Sequence, residues 1–154
     1  MRFGPRRRVV TASIFLGYVV SVAAVTVVPV RMRPPEARWD VPWWIVVHWV
    51  PFRVEAWSFV LNVVMFVPLG VLVPLLWPAA GSLRRIAALS FAASAAIETL
   101  QLVWWLTLGS FRTVDVNDLI ANTAGGVAGA LVLWAAGQRR EKLAAAAVTT
   151  RSTP

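Results

Sequence analysis

The sequence predicts an all-α polytopic membrane protein of about four transmembrane helices, with an aromatic interfacial segment in the first outer loop. Three observations predict it. The 154 residues are 58% hydrophobic and 14% charged, with a mean hydropathy of +0.68, too few charges to cover a soluble domain of this length. Four apolar runs of around 20 residues stand in the chain, each long enough to cross a hydrocarbon core of about 30 Å. Proline, glycine and basic residues separate the runs. The runs are about twice the length of a barrel strand and lack its alternation, so helices are the spanning form.

The elements follow in order. Residues 1–8, MRFGPRRR, form a basic head. The transmembrane domain is expected over 9–137, with helices at about 9–28, 57–77, 86–106 and 117–136. Pro29 ends the first run and Pro78 closes the second. The loop from 30 to 56 carries Pro34, Pro35, Pro42 and Pro51. Its stretch VPWWIVVHWVPF, residues 41–52, is too short to span and is expected in the interface. A basic turn, GSLRR, joins the second and third runs, and a polar hinge, TLGSFRTVDV, joins the third and fourth. The tail, 138–154, is basic and polar and is expected to fray.

Basic residues near helix ends set orientation. With four spans, the termini and the 81–85 turn share a side holding ten of the 15 Lys and Arg residues, and the other side holds five, Arg31, Arg33, Arg38, Arg53 and Arg112. Both termini are therefore expected in the cytoplasm. A cleaved signal peptide is the alternative for the first run, but the run is long and no A-x-A site follows. The net charge of +8 lies between and outside the apolar runs, which favours anionic lipid headgroups over nucleic acid. Lys142 is the one lysine among 15 basic residues, a bias of GC-rich genomes and so of a bacterial source. Cysteine is absent, which excludes disulfide and thiolate chemistry. Trp57, Trp104 and Trp105 at outer ends, with Trp77 and Trp134 at inner ends, read as an aromatic belt. His48, the single histidine, reads as a headgroup-level residue with no chemical role.

Polar residues inside a membrane are costly and usually face the bundle interior. Glu98 and Gln101 stand one turn apart in the third run, and Ser90 and Ser94 continue their stripe. Asp115, Asp118, Asn122, Gly125 and Gly129 share a face of the fourth. Gly125, Gly126 and Gly129 allow close helix approach. In the second run, Asn62 lies one turn below the outer end, and Pro68 and Gly70 interrupt the helix beneath it. Pro68 leaves the Val64 carbonyl short of a partner. Ser13, Gly17 and Ser21 form a small-residue seam that permits a homo-oligomer. At 1.5 Å per residue, Asn62, Glu98 and Asn122 fall in one outer layer with Arg112, Asp115 and Asp118.

The segments LNVVMFVPLG at 61–70, ETLQ at 98–101 and FRTVDVNDLIANTAGGVAG at 111–129, in this order and spacing, resemble the VanZ-like family of small bacterial membrane proteins. Asn117 departs from the family pattern, which often has an acid there. The resemblance implies a multi-spanning protein of the bacterial cytoplasmic membrane. Its name member is associated with low-level teicoplanin resistance, so envelope protection is implied by analogy.

Two functions fit the polar layer. In the first, an outer-leaflet pocket binds a lipid, a lipid-linked envelope precursor or a lipophilic glycopeptide. Arg112 holds phosphate, and Asn62, Gln101 and Asn122 hydrogen-bond the headgroup. In the second, Glu98 is the general acid or base of an intramembrane enzyme acting on a lipid headgroup. Asp115 and Asp118 then hold Mg²⁺; outside that alternative no cofactor or metal is expected. The third reading is structural: the same side chains tie helices together, with Asp115 and Asp118 at a helix start.

Overall fold

A computed structural model describes residues 4–28 and 42–151. Four helices dominate: α1 (Pro5–Thr26), α2 (Ala56–Leu76), α3 (Leu83–Leu108) and α4 (Val116–Arg151). All four are long and apolar enough to cross a membrane, and the chain is a multi-pass membrane protein. The loop residues Pro34, Pro35, Arg31, Arg33, Arg38, Glu36 and Asp40 lie outside the described residues.

The helices run longer than the apolar runs at three points. α1 begins at Pro5, not residue 9, because proline suits the first helical position and needs no amide partner there. Arg6, Arg7 and Arg8 are thus helical. α3 spans Leu83–Leu108, with the Ser82 hydroxyl accepting from the Arg85 amide at its start. α4 continues to Arg151, so the tail is helical rather than frayed. QRREKLAAAA is built from strong helix formers, and their propensity extends the helix beyond the apolar stretch. At 36 residues, α4 is about 54 Å long, well beyond the hydrocarbon thickness.

α2 and α4 form the tightest pair. A methyl group added to Gly125 or Gly129 would overlap the Val63 or Val67 carbonyl of α2, and one on Gly70 would overlap the Gly126 carbonyl of α4. Backbone therefore rests on backbone, which only residues without Cβ permit. Gly126 faces α3, where the Ser90 hydroxyl occupies the space of a side chain. At the turn end, Val73, Ile86 and Ala130 form an apolar cluster with Phe15 and Leu69 against it.

α1 is the loose element. Of its most apolar stretch 6% is buried, against 28% to 33% for the other three helices. A Cβ on Gly17 would meet nothing within 4 Å, so the Ser13–Gly17–Ser21 seam is not packed against another described helix. Phe15 stands edge-on to Trp77, the residue that caps the end of α2, centroids 5.7 Å apart. The Tyr18 hydroxyl donates to the Met65 carbonyl at 3.0 Å, one turn before Pro68; α2 runs through Pro68 and Gly70 as one helix, so neither residue interrupts it.

The two loops at the opposite end are joined by backbone. After a 3-10 turn at Trp43–Val46, β1 (Val47–His48) pairs in parallel with β2 (Val114–Asp115), His48 opposite Asp115. Val46 and Val47 pack on Trp105 beneath this pair. Trp105 is thus a core residue and not part of an interfacial belt, whereas Trp57, Trp77 and Trp134 are at least half exposed. α3 ends on Gly109 with φ of 65°, a left-handed cap that glycine adopts without a Cβ penalty.

Candidate functional site: a cleft between the first and second helices

The polar side chains gather at the loop end, in two groups. The first is buried and holds the hinge. Glu98, 5% exposed, projects from α3 and accepts the Asp115 amide at 3.0 Å. Asp115 accepts at Oδ1 from the Asn117 amide and side chain, at 2.8 and 2.7 Å. Its Oδ2 lies 3.4 Å from His48 Nδ1, an ion pair whenever the imidazole is protonated. The amide group of Asn117 also donates to the Val50 carbonyl and accepts from the Phe52 amide. That last bond fixes Phe52 at φ of 62°, a left-handed conformation that costs a non-glycine residue about 1–2 kcal/mol. Deeper, Asn122 donates to the Ser94 hydroxyl at 2.9 Å, and Ser94 donates to the Asp118 carbonyl at 3.4 Å. Every bond in this group crosses between elements or closes the hinge, and His48, with half of its side chain exposed, closes the group at the surface.

The second group lines a cleft of about 530 Å³ between α1 and α2, to which Gln101, Arg112, Asn62 and Asp118 contribute. Gln101, on α3, donates to the Thr26 carbonyl at 2.8 Å, and Arg112, on the hinge, donates to the Val25 carbonyl. These are carbonyls of the last turn of α1, which have no intrahelical amide to accept from. A cation there also suits the negative end of the helix dipole. Asn62 of α2 donates to Asp118 Oδ1 of α4. Farther from the loops the cleft walls are Val22, Leu61, Val64, Met65 and Pro68, with Tyr18 and Ser21 from α1. Pro68 has no amide hydrogen for the Val64 carbonyl, so an acceptor lies along this wall. The cleft is therefore polar and charged at the loop end and mainly apolar below.

This division places the sequence-derived candidates. Asn62, Gln101, Arg112 and Asp118 meet around one cavity. Glu98, Asp115 and Asn122 lie near but do not line it. Glu98, the acid of the enzymatic reading, is spent on a backbone amide. Asp115 and Asp118 have separate partners, and among the described residues no three His, Asp or Glu side chains converge as a metal site. Pro68 lines the cleft, whereas Gly70, Gly125, Gly126 and Gly129 form the packing seam behind it.

Sequence reasoning missed two residues. The sequence gives His48 no chemical role, yet it sits on Asp115 through a strand pairing across 67 residues of sequence. Asn117 stands out in the sequence only as a departure from the family pattern, yet it is fully buried and staples both loops. Its place between two acids at a helix start was a usable signal, since Asn supplies donor and acceptor together where Asp supplies acceptors alone.

Among known proteins, the model of a family described as VanZ/LLP1 matches residues 15–137, a range that includes all the cleft and hinge residues. No curated protein and no solved structure matches the chain.

Proposed function

The chain belongs to the VanZ/LLP1 family, and we propose that it binds a lipid or lipid-linked envelope molecule in the cleft between α1 and α2, in the outer leaflet of a bacterial cytoplasmic membrane. Its role is then protection of the cell envelope, extending to glycopeptides of the teicoplanin type. The observation that carries this reading is the gradient within one cavity: Arg112, Gln101, Asn62 and Asp118 at the loop end, aliphatic walls toward the bilayer centre. A molecule with a polar head and an acyl tail has the same gradient.

Orientation is part of the proposal. The ten-to-five distribution of basic residues puts both termini in the cytoplasm and the cleft mouth outside. The guanidinium presents a planar set of donors suited to a phosphate, and one donor on Val25 leaves the others for a ligand.

The test is expression in a teicoplanin-susceptible bacterium. Wild-type protein is expected to raise the inhibitory concentration, and Arg112→Ala to abolish the rise at equal membrane abundance, measured by quantitative immunoblot of the membrane fraction. Full protection by Arg112→Ala would refute the cleft as the functional site.

A further inference from the structure

We propose that the cleft selects a zwitterionic headgroup, one that carries a phosphate and a primary ammonium as phosphoethanolamine does. The inference rests on the lipid-binding reading and names the ligand class of that site. Arg112 and Asp118 line the same cavity, yet they do not form an ion pair; the one pair among the described residues is His48 with Asp115. Opposite charges in a weakly polar cleft attract strongly, so their separation needs a cause.

The cause is that each is held by a neutral partner on a different helix. The Val25 carbonyl of α1 holds the guanidinium. The Asn62 amide of α2 holds Oδ1 of the carboxylate. The helices thus fix a positive and a negative group apart, in a cleft whose described lining carries one of each.

A ligand that satisfies both must bear both charges. Its phosphate meets the remaining guanidinium donors, and its ammonium meets the carboxylate at Oδ2, which has no hydrogen bond among the described residues. A headgroup with phosphate alone leaves Asp118 facing a like charge or an uncharged group. A quaternary amine supplies the charge but no N–H to donate. The neighbouring acids add to the negative field at Asp118 but do not reach the ligand: Asp115 is paired with His48, Glu98 accepts the hinge amide, and neither lines the cleft.

Native mass spectrometry of the full chain, released from nonionic detergent, tests the proposal. Phosphatidylethanolamine, phosphatidylcholine and phosphatidylglycerol with identical acyl chains are added at equal concentration. Binding in the cleft is the part removed by Ser21→Trp, which fills the cavity from α1. Phosphatidylethanolamine is expected to be retained about tenfold over phosphatidylglycerol, with phosphatidylcholine between them. Asp118→Asn should bring phosphatidylethanolamine down to the phosphatidylglycerol level, and Arg112→Gln should lower all three.

Equal retention of the three lipids, all displaced by Ser21→Trp, would overturn the selectivity and leave lipid binding in place. An ethanolamine preference that persists in Asp118→Asn with wild-type helix content would overturn the role of Asp118. Should Asp118→Asn not fold, the ranking of the three lipids on the wild-type protein decides by itself. No lipid displaced by Ser21→Trp would remove the cleft as a binding site, and the proposed function with it.

Discussion

α2 meets its two neighbours in opposite ways. Toward α4 it offers carbonyls of Val63 and Val67 to glycines, with no side chain between the two backbones. Toward α1 it offers Leu61, Val64 and Pro68 to a cavity of about 530 Å³. On the described hydrogen bonds, α1 is held by Tyr18 at midspan and by Gln101 and Arg112 at its end. Lipid tails supply no hydrophobic drive between helices, so close van der Waals contact decides which pairs are rigid. α2 and α4 have that contact and form the fixed body. α1 lacks it and is held by the packing of Phe15 at the turn end and by three polar ties, all made by residues that also line the cleft.

The comparison predicts unequal responses to equally small changes. Gly125→Ala or Gly129→Ala adds one methyl where a backbone carbonyl already lies. No rotamer relieves that overlap, so the helices must part and a loss above about 3 kcal/mol is expected. Unfolding in SDS titrations followed by circular dichroism measures it.

Next in size is Asn117→Ala, which deletes the side-chain bonds to Val50, Phe52 and Asp115. It should cost about 2–3 kcal/mol by leaving buried groups unpaired. The same titration reads the loss, and limited proteolysis should show faster cleavage near Phe52.

Gln101→Leu frees the Thr26 carbonyl and should cost only about 1 kcal/mol. Its signature is the freedom of α1: spin labels at Ser21 and Leu61, on opposite cleft walls, should give a broader distance distribution than in the wild type. An unchanged distribution would mean that α1 is held by something other than its polar ties.

The smallest effect is expected for Gly17→Ala, within about 0.5 kcal/mol, because the added methyl meets nothing. A larger loss, together with a change in mass by light scattering, would place a second copy of the chain on this face of α1.

The fold was legible because its signal is local. Each span is one continuous apolar run, and a run needs no distant partner to satisfy its backbone. Helix ends were less legible. The tail is helical on alanine propensity, where polarity suggested fraying, and the basic head merges with α1 at Pro5. Within the site, Gly125 and Gly129 stood out by four-residue spacing, and Asn62 and Asp118 by depth. What depth could not show is direction: Glu98 and Gln101, three apart on α3, go to the hinge and to α1 respectively. His48 and Asn117 were illegible for another reason. Their roles arise from pairing between two loops far apart in sequence, and a two-residue strand carries no periodic pattern to announce it.

The β1–β2 pair also bears on how the molecule is assembled. It links the connection within the first helical hairpin to the connection within the second. That link cannot close until residues 114–117 have been synthesised, later than Gln101 and Arg112, which tie the end of α1. The connection before α2 is thus the last part of the first hairpin to be anchored, after the third helix and the hinge that follows it exist.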